Sequence, residues 1–328
     1  FYLSIKIFIN FILHHFFLTI LHKIIIFILF CNNIKLKLKY YDQTQVLIIY
    51  VLYNTKKENN IRQQMKKISI FLSLSLLALS ANSASTNPQD NYEKLKQSIE
   101  KKYEKQIPKQ WGEKVNGVKT QLNTNKKVIA LTMNACGIDG GMGYDNHLIA
   151  YLEKEKIPAT LFVNGTWIDR NPENMKHLAS NPLFEIGNHG YLHKPASVDG
   201  KSAQGITGTA NISELFDEIE LNAKKIELIT NKKPKYFRSA TGYYDEVAVK
   251  IANSLKNEVI GFSILGDDRA TLSAKKIEEA FINVKGGEIA VIQFNHPESQ
   301  TRDGIIRVIK KLKKEGFTFV KLSDYSLK

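Results

Sequence analysis

The feature that most constrains the fold is a regular alternation of apolar and amphipathic segments after residue 127. Short runs that are apolar throughout, such as Ala159–Val163, are typical of strands buried on both faces of a parallel sheet. Segments with helical periodicity separate these runs. Parallel strands require such crossovers, because a tight turn joins only antiparallel strands. The alternation therefore predicts an α/β fold in which helices cover a parallel sheet.

We predict seven strands after residue 127, at 128–133, 159–163, 184–187, 236–238, 259–263, 289–294 and 317–320. The helices are predicted at 148–156, 172–180, 212–229, 246–255, 273–284 and 303–315. About seven β/α units within roughly 200 residues favour a closed or nearly closed barrel over an open sheet. Upstream, a stripe of apolar residues at helical spacing from Tyr92 to Tyr103 predicts a lead-in helix that Pro108 ends.

Two histidines, His189 and His193, follow the predicted strand 184–187 at a spacing of four residues. If the backbone turns helically after the strand, positions i and i+4 share one face. Two neutral imidazoles could then close on one divalent metal ion, although both could also be ordinary polar loop residues. Sites in alternating strand/helix folds gather at the carboxyl ends of strands, which favours the metal site. A third ligand must come from elsewhere in the chain.

Other polar and ionisable residues also follow predicted strands. These are Asn134, Cys136 and Asp139 after the first strand, Arg238 after the fourth, Asp267 and Asp268 after the fifth, and Gln293 and His296 after the sixth. In a barrel of parallel strands these ends share one rim, which is the active face. Among these residues, Cys136 is interpreted as a packed small apolar residue rather than a catalytic thiol, since no Cys–His pairing is suggested nearby.

The N-terminal part of the chain has the organisation of an export signal. Met65 is followed by two lysines, a stretch of about a dozen apolar residues and a small-residue cleavage site, which together predict a signal peptide over 65–84. Residues 1–64 are then expected to be untranslated upstream sequence, the alternative being a transmembrane helix near 7–30. The mature protein would be residues 85–328, exported to the periplasm or the extracellular space, without a stable membrane anchor.

The charge balance argues against nucleic acid as a partner. The whole chain has 46 basic and 32 acidic residues, a net charge of +14, but ten basic and two acidic residues precede position 85. The expected mature part therefore holds 36 basic and 30 acidic residues, a net charge of +6. Most of the basicity lies in the part that would be removed, so no nucleic-acid partner is predicted.

The motifs at the strand ends resemble those of the polysaccharide deacetylases that share the NodB homology domain. Thr132 to Cys136 matches a T-F-D-A-C first motif except at two positions, and the histidine motif, the arginine motif at Arg238 and the stretch Asn295-His296-Pro297 support the match. The resemblance covers about residues 127–325. It implies a distorted (β/α) barrel with about seven parallel strands, in a domain at 127–328 that follows a helical lead-in at 85–126.

The resemblance also implies an activity and a set of roles. Such enzymes remove N-acetyl, and sometimes O-acetyl, groups from chitin-like or peptidoglycan sugars with a divalent metal ion, here expected to be zinc. His189 and His193 correspond to metal ligands, Arg238 to the residue that orients the base, and Asp267 to the residue that tunes the acid histidine. The expected partner is an acetylated glycan polymer.

Two substitutions fall on the chemistry that the resemblance implies. Asn134 stands at the position of the general base, and Gln293 at that of the acid histidine, with His296 three residues further on. An amide cannot take or deliver a proton as those groups do. Asp139 is a candidate third ligand or substitute base, and His296 a candidate substitute acid. Turnover is therefore expected to be impaired, and the alternative is an inert deacetylase-fold protein that binds glycan or metal in the cell envelope.

Each of these residues also has a purely structural interpretation. Asn134 could cap a turn, Arg238 could form a surface salt bridge, Asp267 could lie in a solvated turn, and His296 could be structural. Among the aromatic residues, Trp111, Tyr243 and Tyr244 are candidates for stacking on sugar rings, whereas Trp167 is expected to pack in the core.

Overall fold

The computed structural model describes residues 88–137 and 141–328. The predicted upstream sequence at 1–64, the signal peptide at 65–84 and Asp139 lie outside the described residues. Within the described ranges, every helix is too short or too polar to span a bilayer.

Eight α-helices and twelve strands are assigned within the described residues. The helices are α1 (Pro88–Tyr103), α2 (Asn146–Lys154), α3 (Gly165–Arg170), α4 (Pro172–Ser180), α5 (Ile212–Thr230), α6 (Glu246–Ser254), α7 (Ala274–Ala280) and α8 (Thr301–Lys314). The strands are β1 (Trp111–Gly112), β2 (Val128–Ala135), β3 (Ala159–Val163), β4 (Phe184–Asn188), β5 (Ser202–Ala203), β6 (Ile206–Thr207), β7 (Tyr236–Phe237), β8 (Tyr244–Asp245), β9 (Glu258–Val259), β10 (Ile264–Leu265), β11 (Glu288–Gln293) and β12 (Thr318–Val320).

The central sheet is parallel throughout, with the strand order β10-β11-β2-β3-β4-β7-β9, and β12 pairs with the first residues of β2. The strands at its two ends, β9 and β10, are consecutive along the chain, so the sheet must curl until its edges approach each other. The Ile260 N–H donates to Phe237 O of β7 at 2.9 Å, and the Ser263 N–H donates to Ile289 O of β11 at 2.9 Å. These bonds tie the segment to both edges and confirm the distorted (β/α) barrel.

The predicted strand at 259–263 is wrong in its boundaries. The segment changes partner from β7 to β11 there, so residues 260–263 separate two strands of two residues each. The main sheet thus has seven strands along its path, with β12 paired beside β2. Helix α3 is a further element that the sequence did not predict, because it has only six residues and depends on the side chain of Asn164 at its N-cap.

The side chains of β2 alternate between two hydrophobic layers. Ile129, Leu131, Met133 and Ala135 pack in the layer beneath the helices, whereas Val128 and Ala130 face the barrel interior with residues such as Phe162. All eight residues of β2 and all five of β3 are buried, as expected for strands covered on both faces. Trp167 is fully buried, with its ring centroid 5.4 Å from that of Phe294, which confirms it as a core residue.

Helix α1 packs against the outside of the barrel. The Tyr92 hydroxyl donates to Asp217 of α5 at 2.7 Å, and the Tyr103 hydroxyl bonds to Lys250 O of α6 at 3.2 Å. The helix ends at Tyr103, before Pro108, and the chain then forms β1, which pairs antiparallel with β8. This path brings the residue after β1, Glu113, to the rim of the barrel.

Candidate active site

A cavity opens at the carboxyl ends of the parallel strands, where the sequence predicted the active face. Its lining residues are Glu113, Asn134, Cys136, His189, His193, Gln204, Ile206, Arg238, Thr241, Gly242, Phe262, Leu265, Asp267, Asp268, Arg269, Val291 and Gln293. The set contains six residues predicted from the sequence: Asn134, His189, His193, Arg238, Asp267 and Gln293. It excludes His296, so the fold unites most of the predicted site but not its candidate substitute acid.

The two histidines meet, but not through a helical turn. After β4 the backbone forms an irregular loop with positive φ angles at Gly190 (79°) and His193 (60°). The loop folds back, so that the ring centroids of His189 and His193 lie 5.0 Å apart at an interplanar angle of 76°. The expectation of a shared helical face is therefore wrong, whereas the expectation of a histidine pair is correct.

His189 is held in the orientation that a metal ligand requires. Its Nδ1 lies 2.8 Å from the backbone oxygen of Arg238, so the proton is placed on Nδ1 and the Nε2 lone pair is left free. Metal-binding histidines characteristically donate their other ring N–H to such an acceptor. Burial, followed by the charge of the neighbouring His193, lowers the pKa of His189 well below its usual value. The ring is therefore neutral at physiological pH.

His193 has two buried ring nitrogens without a hydrogen-bond partner among the described residues. Burial lowers the pKa of His193 to about 4, so this ring is also neutral. Leaving a buried polar group unpaired costs on the order of 1–3 kcal/mol, and a bound cation would satisfy one of these nitrogens. The ligand atoms of Cys136, His189 and His193 all lie within 4.8 Å of one another. One sulfur and two nitrogens at this spacing fit a divalent ion such as zinc.

Cys136 was interpreted as a packing residue because no Cys–His pairing was suggested by the sequence, but the fold places its buried thiol beside the histidine pair. Burial raises the pKa of this thiol to about 12, so it is neutral unless a cation lies beside it. The alternation of side chains along a strand could have identified it. Thr132 and Asn134 point into the barrel, and Cys136, two residues further, has the same parity.

Arg238 lies beneath the cavity and is 1% exposed, which rules out the surface salt bridge. Its Nη1 donates to Thr132 Oγ1 at 2.8 Å and to Asn134 Oδ1 at 3.1 Å. Its Nε and Nη2 donate to the backbone oxygens of Ile260 and Gly261. All four acceptors are uncharged, and burial lowers the pKa of Arg238 to about 10. Four of the five guanidinium N–H groups are therefore hydrogen-bonded, and none of these four partners is a carboxylate.

Asn134 and Gln293, the two substituted positions, are neighbours. They are register partners on adjacent strands, β2 and β11, and both are largely buried. The Gln293 Oε1 is buried without a partner among the described residues. Two amides thus lie side by side at the floor of the cavity, where the resemblance implies a base and an acid.

The remaining predicted residues are divided between the cavity and its surroundings. Asp267 lines the cavity and accepts a hydrogen bond from Thr301 Oγ1, and burial raises the pKa of its carboxyl. His296 instead pairs with Glu298, with its Nδ1 2.8 Å from the carboxylate. Asp145, which is not among the predicted site residues, accepts from the N–H of Leu148 as the N-cap of α2 and pairs with Arg302.

Several lining residues escaped the sequence analysis. Glu113 comes from the segment after β1, and burial, with the charge of Asp268, raises the pKa of its carboxyl. Gln204 and Ile206 come from the β5–β6 hairpin. No local sequence pattern marks these residues, because only the path of the chain brings them to the rim. Tyr244 is fully buried and therefore unavailable for stacking on a sugar.

Trp111 and Tyr243, the other two candidate sugar-stacking residues, form a ring pair with centroids 5.8 Å apart. Trp111 belongs to β1, directly before Gly112 and the cavity residue Glu113. Tyr243 follows Gly242, which also lines the cavity. Both residues are therefore near cavity-lining residues in the sequence. The pair stays a candidate contact for a sugar ring.

The family model for polysaccharide deacetylases matches residues 121–260. The chain is 28% identical over 209 residues to a peptidoglycan-N-acetylglucosamine deacetylase of Bacillus cereus, covering 62% of this chain and 90% of that protein. It is 24% identical over 210 residues to a bifunctional xylanase/deacetylase of Pseudobutyrivibrio xylanivorans, covering 64% of this chain but only 31% of that longer protein.

Solved structures share the fold. A CE4 family pseudoenzyme from Bacillus anthracis has a TM-score of 0.52 at 23% identity, with coverage of 63% of this chain and 67% of that one. A peptidoglycan N-acetylglucosamine deacetylase has a TM-score of 0.54 at 22% identity, with coverage of 64% and 92%. The family match and the curated relatives agree in identifying residues 121–260 as a polysaccharide deacetylase domain.

Proposed function

We propose that this protein is an exported, metal-dependent hydrolase that removes acetyl groups from an amino-sugar polymer, with impaired turnover. One observation carries the proposal: Cys136, His189 and His193 present their ligand atoms within 4.8 Å of one another at the strand-end cavity. Peptidoglycan is the first candidate substrate, since relatives of this chain are named as peptidoglycan deacetylases for both N-acetylglucosamine and N-acetylmuramic acid.

The donor set favours zinc, because thiolate and imidazole are ligands that zinc prefers. When bound, such an ion polarises the acetyl carbonyl and makes a water nucleophile available near neutral pH. The protein's own part is to hold the donors. The Arg238 carbonyl orients His189, and the buried environments of both histidines keep their rings neutral. Asp139 stays a candidate additional ligand.

The site has amides at the two positions where the proposed reaction needs groups that transfer protons. Hydrolysis needs a base that takes a proton from the attacking water and an acid that protonates the leaving amine. Asn134 and Gln293 can orient these groups through hydrogen bonds but cannot exchange protons with them. Losing one such group typically lowers the rate on the order of 10²–10⁴-fold. Among the carboxyls that line the cavity, Asp267 and Glu113 have raised pKa values and are the candidates for carrying a proton.

The second candidate function is a catalytically inert protein that binds glycan or metal in the cell envelope. The observation that favours it is the pair of adjacent amides, Asn134 and Gln293, at the cavity floor. One protein of similar fold is described as a pseudoenzyme, and a mutant of that protein as having restored enzymatic activity. Such a protein would bind glycan or metal without turnover.

The experiment that separates the two measures acetate released from peptidoglycan and from chitooligosaccharide with each common divalent metal. Release by the native protein that the His189→Ala variant loses would support the hydrolase. An O-acetylated sugar belongs in the same assay, because an alkoxide leaves more readily than an amine nitrogen and demands less of the acid. No release from any substrate, together with retained glycan or metal binding, would refute the hydrolase and support the inert protein.

A further inference from the structure

The loop that joins the two histidines is folded around one buried carboxylate, that of Glu218 on α5. Glu218 Oε2 accepts from the Leu192 N–H at 2.9 Å, and Oε1 accepts from the Lys194 N–H at 3.0 Å. Burial raises the pKa of the Glu218 carboxyl to about 7, and the backbone N–H groups of Leu192, Lys194 and His193 act against this shift. In addition, the Tyr191 N–H donates to the backbone oxygen of Glu218 at 2.9 Å. Four consecutive N–H groups of the loop thus converge on a single residue.

Glu218 reaches the loop because the facing residue is glycine. A Cβ atom at Gly190 would lie 2.1 Å from Glu218 Oε1, so any other side chain there would displace the carboxylate. Gly190 also has a φ of 79°, which glycine adopts without the strain that a Cβ causes. Glu218 itself is 3% exposed, and none of its four loop contacts is a pairing of opposite side-chain charges. The carboxylate is a fixed part of the loop rather than a surface group that happens to lie near it.

The side chain of His193 is not held by its own hydrogen bonds. Both ring nitrogens lack a partner among the described residues, and the residue has a left-handed φ of 60°. For a residue with a Cβ this conformation is strained, and it persists only where the surroundings enforce it. Hydrogen bonds from N–H groups to a carboxylate are shorter and stronger than those between neutral groups. The contacts with Glu218 lie on both sides of His193 in the chain and are therefore the ones best placed to hold its backbone in this conformation.

We propose that Glu218 is a positioning residue for the metal site: it fixes the backbone of residues 191–194 and thereby turns the His193 imidazole towards His189 and Cys136. The inference rests on the proposed metal site and adds to it a residue that contributes no ligand. Removing the carboxylate would leave the donors in the chain but release the conformation that brings His193 to the others.

Glu220 provides a matched control on the same helix. It is 4% exposed, and its carboxylate pairs with Lys233 at 2.7 and 2.9 Å rather than with the histidine loop. Glu218→Gln and Glu220→Gln therefore make the same substitution at similarly buried positions two residues apart. A glutamine at 218 keeps the size of the side chain, but its amide nitrogen would face loop N–H groups that need an acceptor.

The test is zinc affinity, measured by competition with a chromophoric chelator at a temperature at which circular dichroism shows each protein folded. We expect Glu218→Gln to weaken zinc binding about 10- to 100-fold, the usual effect of losing a residue that orients a ligand, while Glu220→Gln stays near the native value. Cobalt substitution gives a second readout, because the thiolate-to-cobalt absorption band reports Cys136 and should weaken in Glu218→Gln.

Equal zinc affinities for Glu218→Gln and Glu220→Gln would overturn the inference while leaving the metal site intact. Absence of zinc binding by the native protein would overturn the metal site and this inference together, so the two failures are distinguishable. If Glu218→Gln does not fold, Glu218→Asp replaces it. This variant keeps the charge but withdraws the carboxylate by one methylene, and the same loss of affinity is expected.

Discussion

Replacing Asn134 by aspartate should stabilise the protein, because Arg238 is a buried cation whose four acceptors are all neutral. Burial lowers the pKa of Arg238 to about 10 from an ordinary value of 12.5. A shift of that size corresponds to roughly 3 kcal/mol against the charged form. Aspartate has nearly the shape of asparagine, so Asn134→Asp places a carboxylate where Oδ1 now lies, 3.1 Å from Arg238 Nη1.

The expected gain in the free energy of unfolding is the difference between the attraction of the new carboxylate to Arg238 and the cost of desolvating that carboxylate. At an effective dielectric constant of about 20, unit charges roughly 4 Å apart attract by about 4 kcal/mol. Desolvating the new carboxylate offsets part of this, since position 134 is 8% exposed. We therefore expect the free energy of unfolding to rise by about 1–3 kcal/mol at pH 7. For a domain of this size, that is roughly 2–4 °C in Tm for each kcal/mol.

The pH dependence of the stability gain in Asn134→Asp tests this reasoning. Arg238 would hold the folded-state pKa of the introduced carboxyl below its unfolded value of about 3.9. The gain should therefore be present above that pH and be lost as the pH falls through the folded pKa. Thermal unfolding of the native protein, Asn134→Asp and Asn134→Ala would be compared at pH 7 and pH 3. The alanine variant, which removes an acceptor, should be less stable than the native protein. An aspartate variant that is no more stable than the native protein at pH 7 would refute the reasoning.

Two further predictions concern the ligands and the chemistry. Cys136→Ser should weaken zinc binding and abolish the thiolate-to-cobalt absorption band, because the hydroxyl is a poorer donor than the thiolate; an unchanged band would exclude Cys136 as a ligand. Asn134→Asp combined with Gln293→His should raise acetate release on the order of 10²-fold or more, by supplying a base and an acid at adjacent register positions. Acetate release by the double variant equal to that of the native protein would show that these positions do not limit turnover.

The sequence predicted correctly those elements whose boundaries are determined by their own residues rather than by distant partners. Ala159–Val163 and Pro172–Ser180 have the predicted boundaries, since the first is a buried apolar run and the second begins with proline at N1. The strand predicted at 259–263 was misplaced because its pairing is decided by two neighbours that are distant in sequence, β7 and β11. Local periodicity contains no information about where a strand changes partners.

The same distinction applies to the candidate site. The residue types and the shared rim were predictable, because the carboxyl ends of parallel strands must meet. The left-handed conformation at His193 was not, since it depends on a carboxylate 25 residues further along the chain, at Glu218. The cavity position of Glu113 likewise depends on the pairing of β1 with β8.

The alternation along β2 favours Cys136 over its neighbour Ala135 as the position of the proposed third donor. Odd-numbered residues of this strand, including Met133 and Ala135, pack in the apolar layer under the helices. Even-numbered residues face the interior, where Thr132 and Asn134 bond to Arg238. A carboxylate at 135 would therefore need a local change in the strand to reach the histidines. Cys136 has the same side-chain direction as Thr132 and Asn134 and needs no such change. The apolar environment of Ala135 and the position of Cys136 beside the histidines are thus consistent with one alternating pattern that runs along β2 and continues to the residue after it.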